Sequence, residues 1–121
     1  MHLPLHTSWN GRKVGMCDAG PEMQYHFGQL IAQLCATRHV RAGSIVGSGP
    51  VANAGVGSKA QTEWPKGYNC IAEKRAMETL HGGQPSTAYL QFGDTVRIEM
   101  KGVDGLSLFG AIDQELAPLL R

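Results

Sequence analysis

The sequence lacks the features that mark several functional classes. No apolar run is long enough to cross a bilayer. The opening residues Met1-His2-Leu3-Pro4-Leu5-His6 carry no basic region followed by an apolar stretch, so they do not read as a secretory signal. The three cysteines, Cys17, Cys35 and Cys70, are an odd number with no C-x-x-C pair. That excludes a disulfide framework or a zinc knuckle as the first reading and leaves buried thiols in a reducing cytoplasm. Charge of one sign is also missing. Charged residues make up 17% of the chain and the net charge is +1, so neither nucleic acid nor an anionic membrane is the default partner.

What is present fits one domain. The chain has 121 residues and is 42% hydrophobic. A chain of this length buries roughly two-thirds of its unfolded surface, enough for one modest core. Sixteen glycines and six prolines point to a turn-rich fold with short strands rather than a helical bundle. There is no internal repeat, low-complexity tract or inter-domain linker.

Leu3, Leu5 and Thr7 alternate with Pro4, His6 and Ser8. Asn10-Gly11 then supplies a hairpin turn, because both residues tolerate positive φ, and Lys13–Met16 returns. Pro4 suggests an edge strand. Pro21 suits a first helical turn, with Asp18 as a possible cap. Phe27, Leu30, Ile31 and Leu34 make one apolar stripe, so a helix is expected over about 21–37. Residues 43–50 read as a short buried strand opening into a glycine-rich loop. Residues 51–69 form a long irregular stretch, the first place to look for ligand contacts. Residues 70–80 contain good helix formers but stand between two loops. Val96, Ile98 and Met100 alternate with polar residues as in a half-buried strand. Asp104-Gly105 turns it and Leu106–Ile112 returns. Asp94 and Asp104 are explained by turn formation.

The five histidines show no metal-ligand spacing on one element and read as surface groups. Cys70 lies near Glu73 but has no neighbouring histidine in sequence, which favours an inert thiol over a nucleophile.

Three stretches together resemble the fumarylacetoacetate hydrolase family. Arg41–Gly49 looks like its glycine turn, strand and Ser/Thr-Gly-Thr loop. Ser48-Gly49 is followed after a spacer by Ile71-Ala72-Glu73. Phe92–Ile98 looks like its closing Gly-Asp strand. Each motif is weak alone; their order and spacing carry the resemblance, from about Leu3 to Leu119.

The resemblance implies an α+β, mainly β fold. It would be a mixed β-roll of the fumarylacetoacetase C-terminal type, with one main amphipathic helix and with 70–80 as strand. Residues 1–121 would then be the C-terminal part of a catalytic domain, and an incomplete one.

The implied activity is metal-dependent hydrolysis of carbon–carbon bonds in acylpyruvate- or fumarylacetoacetate-like diketo acids. A magnesium or other divalent ion would stabilise an enolate, and a His–Glu pair would activate water. The family's metal carboxylates and its activating histidine are expected upstream of this chain. No Glu-x-Glu occurs here and no metal ligand is assigned. By the same resemblance Glu73 is the catalytic partner of that histidine. Ser48, Gly49 and Pro50 form the substrate-binding loop. Pro50 departs from the family's threonine and offers neither a hydroxyl nor an N–H.

The expected partners are a small keto acid and a second copy in a cytoplasmic homodimer, without nucleic acid or membrane. Alternatives are a decarboxylase, isomerase or hydratase on the same scaffold, or a non-catalytic truncated remnant acting only by association.

Overall fold

A computed structural model describes residues 2–54 and 67–119. The elements run β1 (Pro4–Trp9), β2 (Arg12–Asp18), α1 (Phe27–Thr37), α2 (Ile71–Gly82), β3 (Thr95–Lys101) and β4 (Ser107–Glu115). The fold is α+β, mainly β. One four-stranded sheet has the order β2-β1-β3-β4. Every pairing in it is antiparallel, where a mixed sheet was expected.

The first hairpin forms as the sequence indicates. Asn10 and Gly11 take φ of 50° and 71°, the left-handed values a tight two-residue turn needs. The Asn10 side chain also fastens this turn to the far end of the sequence. Its Nδ2 donates to Asp94 Oδ1 at 2.7 Å, and its Oδ1 accepts from Thr95 N at 2.8 Å. Asp94 Oδ2 accepts from Gln91 N, and Asp104 Oδ1 from Leu106 N, so both aspartates build turns. The Gln91 N–H, followed by the Asn10 amide, holds the Asp94 carboxyl below its ordinary range.

Pro4 does not mark an edge. β1 lies between β2 and β3, but its pairing with β3 begins only at Leu5–Met100. Pro4 is the first residue of the strand and pairs with Asp18 alone, so its missing N–H costs no ladder bond on the β3 side.

The helices depart further from expectation. α1 starts at Phe27, not at 21. His26 caps it: Gln29 N donates to His26 Nδ1 and His26 N donates back to Gln29 Oε1, a reciprocal box that fixes the start. Residues 21–26 form turns instead, and Asp18 is the last residue of β2. Residues 70–80, expected as strand, fall almost wholly in α2, which runs Ile71–Gly82, so there are two helices of similar length rather than one. The sequence Ala-Glu-Lys-Arg-Ala-Met-Glu has strong intrinsic helix preference, and none of β1–β4 pairs with it.

The expected strand within 43–50 is also absent. Those residues have no regular structure and Ile45 is 96% exposed. A strand needs a neighbour for its N–H and C=O groups, and none of β1–β4 pairs with this segment.

The core is small. Cys17 on β2 is the one fully buried hydrophobic side chain among the described residues. Cys35, read as a buried thiol, is exposed on α1, and Cys70 is half-buried. No described helix is long and apolar enough to cross a membrane.

Candidate functional site

Ser48 and Pro50, expected in the substrate-binding loop, line a cavity of about 440 Å³. Its floor comes from the sheet, through Leu5 of β1 and Met100 of β3, which are direct cross-strand partners. Phe27 and Leu30 at the start of α1 form one wall, and Val51 forms another. Gly49 is exposed, with φ of +83°, and does not line the cavity.

Side-chain amides pin the loop that carries this wall. Asn53 Oδ1 accepts from Asp18 N at 2.7 Å, while its Nδ2 donates to Asp18 O and Glu22 Oε2. The Glu22 carboxylate also accepts from Ala54 N through both oxygens. Asn69 Nδ2 donates to Val51 O at 3.3 Å, and Asn69 Oδ1 accepts from Thr7 Oγ1 at 2.6 Å. The segment 51–54 is therefore tied to both β1 and β2. The expected loop 51–69 is ordered by these contacts at its two ends; its residues 55–66, including Trp64-Pro65-Lys66, lie outside the described residues.

Glu73 sits half-buried in the first turn of α2, where a carboxylate complements the positive end of the helix dipole. It does not line the cavity beside Ser48 and Pro50. The described residues therefore do not unite the two sets of site residues expected from sequence.

α2 itself is held by a polar clamp. Glu78, 8% exposed, accepts from Ser86 N (2.8 Å), Thr87 N (2.9 Å) and Thr87 Oγ1 (2.6 Å). These bonds, the Thr87 hydroxyl first, pull its pKa down from 4.5 to about 2. Lys74 Nζ lies 3.5 Å from the same carboxylate. Arg75 donates to the Thr87 carbonyl and stacks 4.4 Å above the Tyr89 ring. Tyr68 sits beneath Lys74; burial, and then the nearby Glu78 charge, push its pKa up.

Sequence reasoning missed Asn53, Asn69, Glu22 and Glu78 as organising residues. Asparagine in a glycine-rich loop signals local turn bonding but not a bond across 35 residues. Lys74 and Glu78, four residues apart, look like an ordinary surface pair.

A divalent cation does not fit the residues described. Hard cations take six or more oxygen ligands. Among the described residues no three His, Cys, Asp or Glu side chains converge to hold a metal. Glu22, one of two carboxylates that line the cavity with Ser48 and Pro50, already accepts from Ala54 N through both oxygens.

No individual curated protein matches the chain. The family model for the fumarylacetoacetate (FAA) hydrolase C-terminal domain matches residues 1–116. That span contains the hairpin, the Ser48–Pro50 rim, α2 and the closing strands together, and the chain belongs to the fumarylacetoacetate hydrolase family.

Proposed function

We propose that this chain serves the hydrolysis of a carbon–carbon bond in an acylpyruvate- or fumarylacetoacetate-like diketo acid, within a metal-dependent, cytoplasmic, homodimeric enzyme. The observation that carries the reading is the family match over residues 1–116. Hydrolysis adds water across the bond between the acyl carbonyl and the adjacent carbon. The acyl part leaves as a carboxylic acid, and the carbon that loses its partner is protonated to give pyruvate or a related keto acid. In this reading Glu73 orients a histidine that removes the proton from water and stabilises its charged form. The Ser48-Gly49-Pro50 loop borders the substrate. The histidine and the carboxylates for the cation come from outside the described residues.

A second reading has one observation in its favour. Pro50 at the cavity rim offers no N–H and no hydroxyl to a substrate carboxylate. Altered substrate handling of that kind suits a decarboxylase, isomerase or hydratase on the same scaffold. The wealth of exposed apolar side chains also suits a non-catalytic chain that acts by association.

A substrate panel separates these. Acylpyruvates incubated with the catalytic assembly that carries this chain are expected to yield pyruvate and the matching carboxylic acid in equal amounts. Glu73→Gln is expected to lower kcat by roughly 100-fold or more. Carbon dioxide from oxaloacetate with intact acylpyruvates would replace the hydrolase reading by the decarboxylase one. Unchanged turnover in Glu73→Gln would remove the role given to Glu73.

A further inference from the structure

Asn69 stands between the two sets of site residues that the resemblance names. On one side its Nδ2 donates to Val51 O at 3.3 Å. Val51 directly follows Ser48-Gly49-Pro50 and lines the same cavity. On the other side Asn69 immediately precedes Cys70, the N-cap of α2, whose first turn holds Glu73. The Cys70 carbonyl closes that turn by accepting from Lys74 N.

The sheet is shaped to seat this side chain. Thr7 of β1 and Gly15 of β2 are cross-strand partners. Thr7 is buried, and its hydroxyl donates to Asn69 Oδ1 at 2.6 Å. A buried hydroxyl without a partner is costly, and Asn69 supplies that partner. Gly15 leaves the space, since a Cβ there would stand 2.4 Å from Asn69 Oδ1. Chemistry also fixes the orientation of the amide. The Val51 carbonyl only accepts, so it takes the N–H₂, and the amide oxygen turns to Thr7. The backbone just before is held as well, by Tyr68 N donating to Val14 O.

We infer that Asn69 is a positioning residue for the reaction: seated on Thr7 and Gly15, it holds the Ser48-Gly49-Pro50 loop and the Glu73 turn of α2 in one fixed arrangement. The inference rests on the roles that the hydrolase reading gives to that loop and to Glu73. Asn69 does not line the cavity. It acts on the loop through Val51 and on Glu73 through the start of α2.

Two variants separate the two bonds. Asn69→Asp keeps the acceptor for Thr7 and puts an oxygen where the donor to Val51 O stands. Thr7→Val removes the hydroxyl and leaves the amide on Val51, while Thr7→Ser restores the hydroxyl. Both experiments use the catalytic assembly that carries this chain. Hydrogen exchange is read on peptides covering residues 50–54 and 70–74. Asn69→Asp and Thr7→Val are each expected to quicken it roughly tenfold in both segments, with β3 and β4 unchanged and Thr7→Ser matching the parent. Quickening in one segment alone, equal quickening throughout the chain, or none would each overturn the inference. In turnover of an acylpyruvate, Asn69→Asp is expected to raise KM and lower kcat, each roughly tenfold. The kcat loss should vanish when Glu73→Gln is already present, because the carboxylate that Asn69 places is then gone. An unchanged KM, or a kcat loss of full size in the Glu73→Gln background, would overturn the positioning role. Coupled exchange in an assembly that hydrolyses no acylpyruvate would keep Asn69 as the joint between loop and helix and sink the hydrolase reading instead.

Discussion

Two regions of the molecule are held by different forces, and only one of them is complete within the described residues. From Gly67 to Leu90 the chain is fastened by polar and backbone contacts. Tyr68 N donates to Val14 O, Asn69 reaches Thr7, and Glu78 and Arg75 grip Thr87 on all its polar groups. α1 and β4 are the reverse. α1 carries a clear apolar stripe yet buries none of its residues. Every residue of β4 is exposed, with Phe109 75% and Ile112 53% accessible. The polar groups of the first region find their partners within the described residues, whereas the apolar faces of α1 and β4 do not. Soluble monomers seldom leave contiguous apolar faces open, and among the described residues α1 and β4 are where apolar side chains stay exposed.

The sharpest way to break the fastened region is at its closest backbone approach. A Cβ at Gly15 would lie 2.1 Å from the Tyr68 carbonyl oxygen, and one at Gly67 would lie 2.0 Å from that of Val14. No side-chain rotation relieves a clash with main chain. Gly15→Ala is therefore expected to cost about 3 kcal/mol, at the upper end of overpacking effects. The loss should appear as a lower midpoint in urea unfolding, with Tyr68 and Asn69 detached from β2. A change under about 0.5 kcal/mol would mean that residues 67–69 are not seated on the sheet in solution.

The same contrast explains what the sequence discloses. Both hairpins are legible because Asn10-Gly11 and Asp104-Gly105 encode their turns locally and the alternation of Val96, Ile98 and Met100 encodes a face. The α1 stripe is legible too, but its start is not. Pro21 is a generic signal, while the His26–Gln29 box that wins depends on a histidine acting as a cap. Residues 71–82 defeat the strand expectation because local helix preference outweighs what the family resemblance implied. The segment 43–50 reads as a strand from composition, but strands are made by neighbours. Ser48 and Pro50, named from the resemblance, line one cavity, whereas the Asn53 and Asn69 ties carry no sequence signal. Those ties join residues 35 and 62 positions apart, and nothing in a local pattern encodes such distances.

A smaller effect sharpens the polar half of the comparison through pH. The Glu78 carboxyl has its pKa lowered from 4.5 to about 2 in the fold. A depressed carboxyl contributes stability that is fully present above the unfolded value and is lost as pH falls through the folded one. The melting temperature should thus hold steady from neutral pH to about 4.5 and decline between there and about 2. Glu78→Gln should melt lower than the parent at pH 7, and the gap should narrow toward pH 2, because the variant has no carboxyl to protonate. Circular dichroism at 222 nm across that range reads both. Parallel pH curves for parent and variant would show that Glu78 does not hold α2 through its charge.

The smallest expected effect probes the open half. Phe109 is three-quarters exposed on an edge strand, so its side chain contributes little to folding of the chain alone. Phe109→Ser is expected to shift unfolding free energy by no more than about 0.5 kcal/mol, as for other surface substitutions. A buried phenylalanine would lose roughly 3–5 kcal/mol on truncation, so the two outcomes are well separated. The variant should also reduce binding of a hydrophobic dye and any concentration-dependent association seen by gel filtration. A loss of several kcal/mol in dilute protein would place Phe109 in a core that the described residues do not form, and the division between a closed polar region and an open apolar one would then fail at β4 first.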